Sequence, residues 1–140
     1  MKLIAHRGNI DGKNAKEENS PDYLERAFAR GYDAEVDVWS LDGIYFGHDE
    51  PQYESDIDFL LRNHQHLWIH CKNIGALSLL SQITNLNVFW HEDDAYTLTS
   101  KGYIWTYPHQ RVCEKSVIVS SNAKYMKFQS CFGVCSDFLV

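Results

Sequence analysis

The chain has 140 residues, 44% of them hydrophobic and 23% charged, with a formal net charge of −6. That length supports one domain, residues 1–140, with a real core, and the acidic balance argues against a nucleic-acid partner, whose phosphates call for a Lys/Arg-rich face. No stretch approaches the roughly 20 apolar residues needed to span a bilayer, and the apolar run before His6 is shorter than the about 7–15 of a secretory leader, so the expectation is a cytoplasmic protein with no transmembrane segment.

Lys2–Ala5 reads as a buried strand that ends in His6-Arg7-Gly8, followed by a polar loop over Asn9–Asn19. Ser20-Pro21 is a helix start, with Ser as N-cap and Pro where its missing N–H costs nothing. Leu24, Ala27 and Phe28 then share one face, and Gly31 suits the C-terminal cap. In Asp33-Ala34-Glu35-Val36-Asp37-Val38 strict alternation predicts a strand with three carboxylates on one face and Ala34, Val36 and Val38 on the other. Asp42-Gly43 turns the chain into a short strand, Ile44–Gly47, that ends at His48.

Further along, Ile57, Leu60 and Leu61 suggest a helix, Leu67–Cys71 a strand and Ala76–Ile83 a helix. Val88–His91, Tyr103–Thr106, Val117–Val119 and Gly133–Val140 read as strands, with only weak helix signals between residues 92 and 130. This alternation predicts an α/β fold with mainly parallel strands. Cys71, Cys113, Cys131 and Cys135 lack both a disulfide framework and a second zinc-ligand pair, and are expected to be buried free thiols. Of the four tryptophans most are expected in the core.

Polar residues gather at strand ends: His6-Arg7, Glu35 with Asp37, His48-Asp49, His70 with Lys72, and His91 through Asp94. In a parallel α/β barrel those ends open on one face, where residues distant in sequence converge. Glu35 and Asp37, two apart on a strand, project the same way and repel unless a cation lies between them. Oxygen ligands suit Mg²⁺ or Ca²⁺. His6 and His48 have the chemistry of a general acid and general base, Arg7 can grip a phosphate through two N–H bonds, and Lys72 adds a point charge. Gly8 would let a ligand approach the backbone closely.

The order His6-Arg7-Gly8, Glu18-Asn19-Ser20, Gly31 through Val38, Asp42-Gly43 and His48-Asp49 resembles the glycerophosphodiester phosphodiesterase family, one of the phosphatidylinositol-phospholipase-C-like barrels. The resemblance is dense over residues 4–49, with echoes at Ile69-His70-Cys71-Lys72 and Cys135-Ser136-Asp137-Phe138. It implies a TIM-type (β/α) barrel and a metal-dependent hydrolase that cleaves a small glycerophosphodiester. It further implies His6 and His48 as the acid/base pair, Arg7 and Lys72 on the phosphate, and a divalent metal held by Glu35 and Asp37 with Glu18 nearby. The alternative is an inactive relative that binds phosphorylated ligands.

The chain departs from that pattern in two respects. His70 stands where the family has a glutamate, which shifts metal preference towards Mn²⁺ or Zn²⁺ or leaves Glu92 or Asp94 to complete the site. An eight-fold barrel takes about 250 residues and rarely fewer than about 200, so a shortened or incomplete barrel of about six or seven strands is expected. Its uncovered edge could pair in a homodimer. The loop Asn9–Asn19 and the stretch Trp105–His109 are expected to shape specificity.

Overall fold

In the computed structural model, which describes residues 1–126 and 130–140, one ten-stranded mixed sheet carries three α-helices among the described residues. The chain runs β1 (Lys2–His6), α1 (Pro21–Ala29), β2 (Asp33–Ser40), β3 (Ile44–Phe46), β4 (Tyr53–Ser55), α2 (Ile57–Arg62), β5 (Leu67–Cys71) and α3 (Ile74–Leu80). It continues through β6 (Val88–Phe89), β7 (Tyr96–Leu98), β8 (Ile104–Thr106), β9 (Ser116–Val119) and β10 (Gly133–Ser136). Each α-helix starts on a side-chain cap: Ser20 accepts from Tyr23 N–H, Asp56 from Phe59 N–H and Asn73 from Ala76 N–H, each satisfying a donor the helix leaves unpaired.

Neighbouring strands β6, β5, β2, β1, β10, β9 and β8 all pair in parallel. Hairpins add the antiparallel strands β3 and β4 beside β2, and β7 beside β8. The sheet is not closed, because β6 and β8 do not pair. Between them the Phe89 and Trp105 rings stack at 4.6 Å, and Ser100 bonds both the N–H and the C=O of Val88. The α/β class expected from the alternation holds, with a mixed sheet and few helices. From residue 92 onwards the described connections contain no α-helix, only a 3-10 turn at Ala123–Met126.

Register explains which side chains meet. Parallel pairing sets His6 beside Glu35 and Asp37 beside His70, so these four share one face near the C-terminal strand ends. Below them on that face Ile4, Trp68, Phe89, Trp105, Val117 and Cys135 form one apolar cluster. On the opposite face Ala34, Val36 and Val38 pack with Leu24 and Ala27 of α1, Leu60 of α2 and Leu80 of α3 in a second cluster. Asp33, lowest of the three carboxylates, is buried and accepts a hydrogen bond from Trp68 Nε1 at 3.0 Å.

Several boundaries differ from expectation. The strand expected over Val88–His91 stops at Phe89, and the one expected over Gly133–Val140 stops at Ser136, whose hydroxyl accepts the Phe138 N–H and turns the chain out of the ladder. Trp68 and Trp105 are core residues, whereas Trp39 is part-buried and Trp90 is exposed. All four cysteines are free, but only Cys71 and Cys135 are buried as expected; Cys131 is part-buried and Cys113, in the loop before β9, is exposed. Gly8, at φ +86°, is needed for packing: a Cβ there would lie 2.8 Å from Tyr23 Cδ2.

Gly47 fixes the hairpin that delivers His48. Its N–H donates to the Asp37 carbonyl at 3.0 Å and its carbonyl accepts Trp39 Nε1 at 2.7 Å. A Cβ at this position would collide with the Glu50 carbonyl oxygen and the Gln52 backbone nitrogen. Gly47→Ala is therefore expected to destabilise the chain by more than about 1 kcal/mol, read as a lowered urea midpoint at unchanged slope. An unshifted midpoint would contradict the tight hairpin.

Candidate active site and metal centre

At the end of β1 the backbone leaves the extended region: Arg7 has φ +54° and Gly8 φ +86°. A left-handed arginine is uncommon, and such conformations persist where surrounding contacts hold them. Here the Arg7 N–H donates to Glu35 Oε2 at 3.2 Å, Nη1 donates to Glu18 Oε1 at 3.0 Å, and Nε lies 3.4 Å from Asp37 Oδ2. Arg7 is thereby tied to three carboxylates. Glu18 also accepts from Asn9 Nδ2, so it braces Arg7 and Asn9 and stands outside the cluster described below.

The next two residues of that loop act differently. Asn19, at φ +71°, grips Asp37 with both ends of its amide: Nδ2 donates to Oδ2 at 2.9 Å, and Oδ1 accepts the Asp37 N–H at 3.0 Å. Ser20 caps α1. Three consecutive residues, Glu18-Asn19-Ser20, thus support the arginine, a carboxylate and a helix.

His6 bonds Asp137 through Nδ1 at 2.8 Å, while its Nε2 lies 3.8 Å from Glu35 Oε2. In the neutral ring this places the proton on Nδ1 and leaves Nε2 free for proton transfer. Burial alone would lower the imidazole pKa, but the Asp137 hydrogen bond and the Glu35 charge outweigh it and raise the pKa above its usual value.

Glu35, Asp37 and His70 form the candidate metal centre. Each offers a ligand atom, and those atoms all lie within 4.8 Å of one another. His70 Nε2 bonds the His91 carbonyl at 3.0 Å, which puts the neutral ring's proton on Nε2 and turns the Nδ1 lone pair towards the carboxylates. Nδ1 stands 3.0 Å from Asp37 Oδ1 and 3.8 Å from Glu35 Oε1. Asp37 Oδ1 is buried without a hydrogen-bond partner, and a lone pair facing carboxylate oxygens at this range needs a proton or a metal ion between them. The donor set therefore fits a divalent cation with mixed oxygen and nitrogen ligands, with the His91 carbonyl orienting the imidazole from behind.

The pKa shifts show the same conflict. Burial, then the Asp37 charge, push the Glu35 carboxyl up to about 7. Burial also acts to raise Asp37, but His70, Arg7 and Asn19 outweigh it and hold that carboxyl well below its usual range. Burial acts to lower His70, and the Asp37 and Glu35 carboxylates reverse this, so its pKa is raised.

One cavity of about 430 Å³ gathers His6, Arg7, Glu35, Asp37, His70 and Lys72 with His48 at the same mouth. His48 is more open than His6, His70 or His91, its side chain 39% exposed, with Nδ1 2.8 Å from Asp49 Oδ1. Glu92 and Asp93 also line this cavity. Glu92, exposed, and Asp94, which accepts the Glu92 N–H, do not belong to the three-residue cluster. Sequence reasoning missed Asp137 as the partner of His6, Asn19 as the clamp on Asp37, and His91 behind His70. Asp137 follows directly on a strand end, the signal that marked the other polar residues.

Comparison with known family models, curated proteins and solved structures gives no match.

A divalent cation must displace a proton from the Glu35–His70 pair, so its binding strengthens as pH rises through the range where these groups titrate. Mn²⁺ or Mg²⁺ is expected to raise the melting temperature more at about pH 8 than at about pH 6, and Glu35→Gln to remove most of that rise. Equal shifts at both pH values, or none, would contradict the assigned centre.

Proposed function

We propose that this chain is a metal-dependent phosphodiesterase that hydrolyses a small glycerophosphodiester-type substrate, on an incomplete (β/α) barrel of the glycerophosphodiester phosphodiesterase kind. The observation that carries this reading is the convergence of three kinds of group in one cavity: His6 and His48, Arg7 and Lys72, and the trio Glu35, Asp37 and His70. The sheet order supports the architecture, since its parallel strands follow one another around the sheet as barrel strands do, with the gap falling between β6 and β8. That gap lies in the half of the chain where connecting helices are missing.

Arg7 and Lys72 are suited to hold the non-bridging phosphoryl oxygens, Lys72 as a point charge and Arg7 from a guanidinium fixed by Glu18 and Asp37. A divalent cation held by Glu35, Asp37 and His70 would supply Lewis-acid charge compensation at the phosphoryl group. One imidazole of the His6/His48 pair takes the proton of the attacking hydroxyl, from a neighbouring substrate group or from water. The P–O bond to the leaving alcohol breaks, and the other imidazole gives that oxygen its proton. When a substrate hydroxyl attacks first, water then opens the cyclic ester with the two roles exchanged. His6 is the better organised of the pair, because Asp137 fixes its tautomer.

The alternative is a phosphate-ligand-binding relative without turnover. It is favoured by His70, which takes a carboxylate's place and removes one negative charge from the centre. Under the hydrolase reading, His6→Ala and His48→Ala each lower kcat/KM for a glycerophosphodiester by about 10²–10⁴ with unchanged circular dichroism. Full activity in either variant would overturn the acid/base assignment. Stabilisation of the wild type by the diester without product release would favour the binding protein.

A further inference from the structure

The cavity of the candidate active site has one wall that phosphate binding and proton transfer leave unused. It is made by His91, Glu92 and Asp93, which follow β6, and by Tyr107 and Pro108, which follow β8. This wall is joined directly to the candidate metal centre. His70 Nε2 bonds the His91 carbonyl at 3.0 Å, and the His70 and His91 rings lie 6.1 Å apart. The His91 ring in turn lies 5.0 Å from the Tyr107 ring. Tyr107 therefore stands one imidazole beyond His70, and Glu92 is the residue after the carbonyl that holds it.

The wall is anionic and aromatic. Glu92 and Asp93 are exposed, and among the described residues neither they nor Lys72 form a salt bridge. Asp94 is spent on this segment itself, accepting the Glu92 N–H at 3.2 Å. Tyr107 is 39% exposed. Carboxylates beside an open aromatic ring receive an organic cation, the first through charge and the second through the negative face of its π-system. An ammonium group left without such partners would lose solvation for nothing. In the described lining, carboxylates outnumber fixed cations four to two: Glu35, Asp37, Glu92 and Asp93 against Arg7 and Lys72. A divalent cation at Glu35, Asp37 and His70 would balance the two. A substrate of zero net charge then leaves nothing uncompensated, its phosphate at Arg7 and Lys72 and its ammonium at Glu92 and Asp93.

We infer that Glu92, Asp93 and Tyr107 form a head-group subsite of this cavity, and that it takes the ammonium of a zwitterionic amino-alcohol phosphodiester. This rests on the phosphodiesterase reading above and deepens it. In such a diester a short carbon arm separates the ammonium from the phosphate, so both charges are met within one cavity of about 430 Å³. The subsite also gives a role to acidic residues that lie at a strand end but outside the three-residue metal cluster.

The test compares glycerophosphocholine with its neutral tert-butyl analogue, in which a carbon replaces the charged nitrogen, at a saturating divalent ion. The variants are Tyr107→Leu and the double substitution Glu92→Gln with Asp93→Asn. The readout is the ratio of kcat/KM for the two esters, in which any change common to both cancels. The wild type is expected to favour the choline ester by about tenfold or more, and each variant to reduce that preference by at least about threefold. A wild-type ratio near one, or an unchanged ratio in either variant, would overturn the subsite while leaving the phosphodiesterase reading in place. An unchanged ratio with both esters slowed alike is what Glu92 or Asp93 would give as a metal ligand instead. Turnover of neither ester by the wild type would overturn both readings.

Discussion

Two carboxylates held side by side in the interior of a sheet set the terms for the rest of this molecule. Glu35 and Asp37 are both buried, and the spacing of a strand prevents either from turning away from the other. Buried like charges cost several kcal/mol unless partners surround them, and those partners come from β1, from β5 and from the loop between β1 and α1. Arg7 bonds or faces both carboxylates, Asn19 clamps one, His70 faces both, and His6 approaches Glu35 from β1. Removing the acidic pair would leave the part-buried Arg7 with Glu18 alone, His6 with Asp137 alone, and His70 without a carboxylate.

The fold reads as the means of bringing those partners together. Parallel pairing of β1, β2 and β5 in one register aligns His6, Glu35, Asp37 and His70 across three strands. The loop between β1 and α1 returns over the strand ends because Asn19 binds Asp37 and the Asn19 N–H donates to the Arg7 carbonyl at 2.9 Å. Behind this layer the aromatic cluster around Trp68, Phe89 and Trp105 fills the interior, which excludes water below the site and strengthens the electrostatics above it. The unpaired seam between β6 and β8 is bridged by aromatic stacking and by Ser100, so a chain of this length can keep an interior without a closed hydrogen-bond ladder.

Much of this was legible in the sequence where a local rule and a long-range demand agree. The alternation over Asp33–Val38 marked both faces of β2, Ser20-Pro21 marked the start of α1, and Leu67–Cys71 was bounded as found. The short strands β4 and β7 escaped, because three residues of partly exposed chain carry no period to read. The final strand was read too long, since the apolar run continues through Phe138 and Leu139 while the turn is made by the Ser136 hydroxyl. That overextension hid Asp137 inside a supposed strand and so concealed the partner of His6. Glu18 was foreseen near the metal, whereas its oxygens are occupied by Arg7 and Asn9. A side chain's choice among several nearby partners depends on tertiary geometry that spacing does not encode.

The central proposal is that Glu35, Asp37 and His70 would hold a divalent cation serving phosphodiester hydrolysis in the cavity they share with His6 and His48. Its most direct measurement is the rate of glycerophosphodiester hydrolysis by the wild-type chain after chelation and after return of single ions: Mg²⁺, Ca²⁺, Mn²⁺ or Zn²⁺. The account predicts loss of activity on chelation and recovery with a divalent ion, Mn²⁺ or Zn²⁺ being more effective than Mg²⁺ or Ca²⁺ because one of the three ligands is an imidazole. Hydrolysis that continues undiminished in the chelated protein would contradict it.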